Sequence, residues 1–408
     1  MKNSKNFKKG GVSIFIVMVV GVLVSIMSAS FLRLMFRDQE QASKLDLSQS
    51  AYDSAQAGVE DAKRFLRIFR SACGPSGTGV FEGVTHNCNA MRSAIQNESC
   101  YTLATAGIGN ANGETIVQTN SGAGGASSRD ADLNQAYTCV KLRMNTADFL
   151  GRTNDGSPSV INLKGTAAFD RVRIRWHSRE NMTNGSNIEL DSLRNPSARP
   201  NINAQNWRNQ NRPAILKAQF YGYIPGVGKS SSSMDTPYPD DGNGASEMLF
   251  YPTNSTSALS SNVSNMPTVR RNESSSQATT DYTFTRCSDR MDANSNAYAC
   301  ETTVNIGRSV SPNDVLYLRL TPLMNDSNFR VELLNGNTVV DFAGVQPRVD
   351  STGRANTQLR RVESRIGFND TSFPVPLFSA QTESNEEPIC KEFSVTRLTN
   401  SNVNCRNQ

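Results

Sequence analysis

The chain has 408 residues, of which 42 are Lys or Arg and 37 are Asp or Glu, for a formal net charge of +5. Lys2, Lys5, Lys8 and Lys9 supply four of those charges, so the remainder is nearly neutral and carries no electrostatic footprint for nucleic acid. Only 37% of residues are apolar and 19% charged, below the ~45–50% and ~25% of ordinary soluble domains; Asn, Ser and Thr make up the difference, as in exposed extracellular β-rich proteins.

At ~150 residues per domain the length predicts two or three domains. Two histidines, His86 and His177, leave little material for histidine-based metal sites or His-dependent triads, and His177, next to a predicted strand, reads as a surface residue.

A basic leader occupies residues 1–10, and residues 10–32 form a 23-residue run without a charge. About 20 apolar residues cross a bilayer core at ~1.5 Å per residue, so this run can span a membrane. Ile14, Phe15, Val19, Leu23, Ile26 and Phe31 are among its large apolar members. The lysines ahead of it place the N-terminus in the cytoplasm and everything after Arg33 outside. A secretory signal would have an apolar core of only ~7–15 residues before a cleavage site. Here the run is longer, and no proline interrupts the chain before Pro75.

Beyond the run, Leu45, Tyr52, Ala55, Val59, Ala62, Leu66 and Phe69 recur at heptad-like steps. Asp38 and Glu40 come early, while Lys63, Arg64, Arg67 and Arg70 come late, which suits the C-terminal end of a helix dipole. Cys73-Gly74-Pro75 supplies the stop. The pattern predicts one helix over the segment 11–72, from residue 12 to about 71, with its first part in lipid or among similar helices. The heptad stripe lies on a partner surface.

From Cys73 onward the composition shifts to loops and short strands. The expected divisions are a first head segment at 73–228, a Ser/Asn-rich surface insertion at 229–280 and a second β-rich segment at 281–408. Residues 104–130 read as irregular. Residues 169–176 alternate, with Val172, Ile174 and Trp176 inward and the arginines solvated. Further strands are predicted at 215–224, 315–320, 329–334, 339–342, 359–368 and 393–398, with a hairpin turn at Asn335-Gly336-Asn337. Strand–helix alternation is missing from the pattern. The expected fold class is therefore α+β: a long N-terminal helix, membrane-spanning in its first half, packed on an antiparallel, β-rich, disulfide-bonded head.

Cys73, Cys88, Cys100, Cys139, Cys287, Cys300, Cys390 and Cys405 all fall on the exported side, where an even count reads as disulfides. Neighbour pairing is the simplest of the 105 connectivities. Spacings for zinc do not occur. Gly226-Val227-Gly228-Lys229-Ser230 imitates a phosphate loop, but Tyr223 stands where its first glycine is required. Asp240-Asp241-Gly242-Asn243-Gly244 with Glu247 keeps a loose calcium site open, although the spacing misses a calcium loop. No cofactor and no catalytic constellation is otherwise indicated, so a non-enzymatic role is expected.

The junction Lys8-Lys9-Gly10-Gly11-Val12, the uncharged run behind it and the motif at 51–62 (AYDSAQAGVEDA) resemble the N-terminal region of type IV pilins, most closely PilX-type minor pilins. Residues 349–354 followed by 359–363 resemble a late strand-turn-strand of that group. The resemblance implies cleavage by a prepilin peptidase after Gly10 or Gly11, packing of the helix among other pilins, passage through the inner or cytoplasmic membrane, and display on a pilus at the cell surface. Major pilins carry a glutamate five residues after the cut, where this chain has Phe15 or Ile16. The tip component of type II secretion pseudopili also lacks that glutamate, so the resemblance implies a tip or priming subunit whose head serves assembly, adhesion to a surface ligand, or both. A permanently anchored single-pass surface adhesin or receptor, and an exported hydrolase, are the alternatives.

Overall fold

The computed structural model describes residues 11–74, 77–111, 113–117, 135–183, 185–190, 204–223, 244–254, 263–266, 283–291 and 297–367. The described chain divides into two units. One comprises residues up to 142 together with 349–364, and the other is built mainly from 143–348. One long apolar N-terminal helix, a β-rich and mainly antiparallel remainder, and three disulfides make the fold α+β. Gly10, Asp240 to Asn243, Cys390, Cys405, the predicted strand at 393–398 and the phosphate-loop imitation lie outside the described residues.

The first unit opens with α1 (Gly11–Ala72), 62 residues without a break and so roughly 93 Å long. Its last turn closes with Cys73 N–H on the Phe69 carbonyl at 2.9 Å. A small ribbon follows, β1 (Thr78–Phe81) against β2 (Val84–Asn87). Then comes α2 (Cys88–Gln96), where the Asn87 side chain caps by accepting from Ala90 N–H. The Cys73–Cys88 disulfide ties the end of α1 to the start of α2. Cys100–Cys139 ties the following loop to β4 (Gln135–Arg143), which pairs with the short β3 (Thr115–Ile116). The stretch expected to be irregular thus contains β3 and part of a 3-10 turn at Thr102–Ala106.

The second unit is a two-sheet sandwich. One sheet contains β5 (Phe149–Thr153), β7 (Phe169–Ser178), β10 (Val263–Asn265), β12 (Tyr298–Val310), β14 (Ser327–Asn335) and β15 (Thr338–Val340), in the order β10-β12-β7-β14-β15 with β5 also on β14. The other contains β6 (Ser159–Asn162), β8 (Ile215–Tyr223), β9 (Gly244–Thr253), β11 (Thr283–Arg286) and β13 (Val315–Leu323), in the order β11-β9-β8-β13-β6. Pairing is antiparallel except at β10–β12 and β9–β11. Period-two alternation sends Val172, Ile174 and Trp176 into one core with Val304, Val331 and Leu333 from the same sheet and Leu216, Phe250 and Leu318 from the other. Trp176 bridges the layers. Its ring lies 6.2 Å from Phe250, and its Nε1–H donates to the Ala214 carbonyl at 3.0 Å. On the opposite side of the second sheet, Trp207 of α3 (Ala204–Asn209) packs on Tyr251 and Ile215.

The strands predicted at 169–176, 215–224, 315–320 and 329–334 fall in this sandwich. The Ser/Asn-rich stretch expected to be a surface loop contains β9 and β10, because Met248, Phe250 and Tyr251 are buried. In the expected hairpin, Gly336 takes φ +57° between β14 and β15.

The chain then returns to the first unit as β16 (Arg348–Ala355) and β17 (Gln358–Arg365), completing a four-stranded sheet in the order β17-β16-β4-β3. Asn356, at φ +50°, makes their short turn. This sheet receives α1.

Candidate functional site: the apolar helix and a polar groove

The two halves of α1 differ in what surrounds them. From Phe15 to Phe36 the large apolar side chains stand bare, among them Phe15, Val19, Leu23, Ile26 and Phe31. Gly11, Val12 and Ile14 belong to the same helix. The polar residues in this half are compatible with an apolar surrounding: the Ser25 and Ser30 hydroxyls donate to the Gly21 and Ile26 carbonyls at 2.8 and 2.9 Å. The helix is long and apolar enough to cross a membrane. Leaving such side chains in water forgoes about 1.5–3 kcal/mol each, so this half requires lipid or protein around it.

The second half is buried on one side, along the expected stripe at Ala55, Val59, Ala62 and Leu66 but not at its start. Leu45 and Tyr52 of that heptad are 71% and 41% exposed. The buried line is Ala51, Ser54, Ala55, Val59, Ala62 and Leu66, with Phe65 and Ile68 at the end. Small residues win because the sheet approaches the helix almost backbone to backbone. A Cβ on Gly353 of β16 would stand 2.2 Å from both Ala51 O and Ala55 N, and one on Gly58 would stand 2.4 Å from Ser351 Oγ. Polar contacts pin the same contact region. Tyr137 Oη of β4 donates to Asp61 Oδ2 at 2.7 Å; burial first, then the Asp61 charge, push the Tyr137 hydroxyl up to about 12. Arg360 of β17 donates to Ser48 Oγ at 2.7 Å.

In the sandwich, the outward face of β7 departs from the expected row of solvated arginines. Arg171, Arg173 and Arg175 are half-buried, because neighbouring strands supply carboxylates. Glu332 on β14, only 4% exposed, meets Arg173, Arg175 and Arg330 at 3.1, 3.3 and 2.8 Å. Arg175 also reaches Glu301 of β12 at 2.5 Å, while Arg330 and Arg365 meet Asp148 at 3.0 and 2.9 Å. Burial pulls the Arg175 guanidinium down, but Glu301 and Glu332 more than offset it and its pKa is raised. Removing one partner of so buried a network would leave an uncompensated charge.

This face forms the floor of an open groove of about 710 Å³. Arg175, Arg330 and Glu301 line the floor, and Arg286, Ser288 and Asp289 line one wall beside Tyr298. The wall is held to β12 by the Cys287–Cys300 disulfide and by Ser288 N–H on the Ala299 carbonyl at 2.8 Å. Burial pushes the Tyr298 hydroxyl up, and nearby Arg330 draws it down.

Other sequence candidates find structural places. Among the described residues no group of three His, Cys, Asp or Glu converges as a metal site. Glu247, the one described carboxylate of the calcium-like stretch, pairs with Lys217 at 3.0 Å and accepts from Gln219 at 2.6 Å. His177 is wholly buried rather than on the surface, at φ +63°, with neither ring nitrogen in a well-formed hydrogen bond. Burial, only weakly opposed by the Asn211 backbone, drives its pKa down to about 4.

The groove was not visible in the sequence, because β7 lies more than one hundred positions before the β12 and β14 residues that complete it. The alternating arginines at 171, 173 and 175 were the one available signal. No family model matches the chain, and neither does any curated protein or solved structure.

Proposed function

We propose that this chain is a non-enzymatic minor subunit of a type IV pilus-like filament, placed at or near the tip or acting to prime assembly. The observation that carries the reading is the division of α1. One unbroken helix leaves its first half bare over several turns and locks its second half onto a sheet through Ala51, Ala55, Gly58 and Gly353. A bare apolar rod on a rigid joint suits transfer from lipid into a bundle of similar rods. The head then faces the exterior and carries the disulfides.

The first carboxylate in the sequence is Asp38, so an amine exposed by cleavage after Gly10 or Gly11 would have no acidic partner within the apolar run. Burying that amine unpaired is costly. A terminal position, where no subunit sits above, avoids the cost. The same observation favours a second reading, a permanently anchored surface protein that is never cleaved.

Mass spectrometry of the mature N-terminus from membranes and sheared surface filaments separates the two. Loss of ten or eleven residues and recovery in the filament fraction are expected. An intact leader confined to membranes would overturn the filament reading.

A further inference from the structure

We propose that Arg33 and Arg37, at the outer end of the membrane-spanning half of α1, bind the headgroup phosphate of one anionic phospholipid. The two are four residues apart on one helix, so they share a face with their Cβ atoms about 5–6 Å from each other. Both are exposed, and neither has a hydrogen-bond or ion-pair partner among the described residues. The helix itself cannot supply one. Three and four positions from Arg33 stand Ala29, Ser30, Phe36 and Arg37; around Arg37 they are Arg33, Leu34, Glu40 and Gln41. Glu40 is taken by Lys44 at 2.7 Å. Like charges at this spacing repel, and one phosphate between them offsets the repulsion while accepting from both guanidinium forks.

Height along the helix selects a lipid headgroup. From Gly11 to Arg33 α1 rises ~33 Å, just over the ~30 Å of a bilayer's hydrocarbon core. Arg37 follows one turn, ~6 Å, further out. Helical side chains lean towards the N-terminus, which here is towards the membrane, so both forks are carried back into the headgroup layer. Leu34, Met35 and Phe36 between them are bare apolar residues, suited to the edge of a bilayer and poorly suited to water. Asp38 and Glu40 come only after both cations. Net charge then separates the headgroups. Two arginines favour a headgroup that is negative overall, because the amine of a zwitterionic one would add a third positive charge beside them.

Cations just beyond a span also run against the orientation bias set by Lys2, Lys5, Lys8 and Lys9 at its other end. An anion on the outer side offsets that conflict. The inference rests on the membrane-spanning half of α1 and holds equally for a filament subunit and for a permanently anchored protein, so its failure and that of the filament reading are separate results. Native mass spectrometry of the full chain, released from detergent micelles after titration with dioleoylphosphatidylglycerol or dioleoylphosphatidylcholine, counts the lipid retained. The leader lysines are common to every variant and cancel in the comparison.

Phosphatidylglycerol is expected to be retained roughly tenfold more strongly than phosphatidylcholine. Arg33→Gln with Arg37→Gln should lose one retained phosphatidylglycerol, and each single substitution should weaken its retention roughly fivefold. Lys44→Gln, which breaks an exposed ion pair further out, should leave retention unchanged. Both arginines stand clear of the packed half of α1, so these variants keep the fold. A large excess of inorganic phosphate should not displace the lipid. Equal retention of the two lipids, displacement by free phosphate, or unchanged retention in the double variant would each overturn the proposal. So would loss of a second copy of the chain, in place of lipid, from the double variant, since that outcome assigns the arginines to carboxylates of a neighbouring helix.

Discussion

At Gly58 and Gly353 the long helix and its sheet meet almost backbone to backbone, whereas at Trp176 and Phe250 the two sheets of the sandwich are separated by whole aromatic rings. The first contact depends on the smallness of Ala51, Ser54 and Ala55. The second depends on volume, because large side chains fill the space between sheets ~10 Å apart. Each region is therefore sensitive to the opposite error. Truncation harms the sandwich and enlargement harms the helix–sheet contact. The two also differ in reach: the helix contact fixes one stripe of one element, while the sandwich core gathers most strands of its unit.

The sharpest way to break the symmetry of that comparison is Trp176→Ala. It should destabilise the sandwich by roughly 3–5 kcal/mol, seen by calorimetry as a lowered transition for that unit alone. An effect under about 1 kcal/mol would show that the core closes over the gap.

The second test uses acid. His177 titrates at about 4 in the fold, below its unfolded value of about 6.5, so folding favours the neutral ring. Its contribution is complete above pH ~6.5 and is lost as pH falls toward 4, to a total of roughly 3 kcal/mol. His177→Asn, which tolerates the positive φ, should flatten the urea midpoint between pH 7 and 4.5; an unchanged slope would place the acid sensitivity elsewhere.

The gentlest test enlarges the other region. Gly353→Ala sets a methyl against Ala51 O and Ala55 N and should cost roughly 1–3 kcal/mol. Hydrogen exchange should rise along residues 51–66 while the sandwich amides stay protected. Exchange spread evenly over both units would contradict the separation.

The same contrast explains what the sequence made legible. The uncharged run, the absence of proline before residue 75 and the late arginines were enough for α1. Period-two alternation was enough for β7, and short apolar runs were enough for β8, β13 and β14. Sequence proximity led to the three described disulfide pairs, because each joins cysteines that are consecutive in the sequence. The helix stripe was legible at Ala55, Val59, Ala62 and Leu66, and missed at its start for a physical reason. Hydrophobic periodicity adds Leu45 and Tyr52, whereas a close approach adds Ala51, Ser54 and Gly58. Likewise β9 was hidden by its serine- and asparagine-rich flanks, although Met248, Phe250 and Tyr251 carry its burial. The groove could not be read at all, since Arg175, Glu301 and Arg330 become neighbours only through the pairing of β7 with β12 and β14.

The strands β4 and β16 sit next to each other in their sheet, with the Thr138 hydroxyl donating to the Thr352 carbonyl at 3.3 Å. Everything from 143 to 348 departs from one and returns through the other. A segment that leaves and re-enters through two adjoining strands behaves as a cassette: evolution can swap it, or an engineer can substitute a tight loop, without reordering the sheet beneath. Specificity can then diversify in the cassette while the anchoring element stays constant.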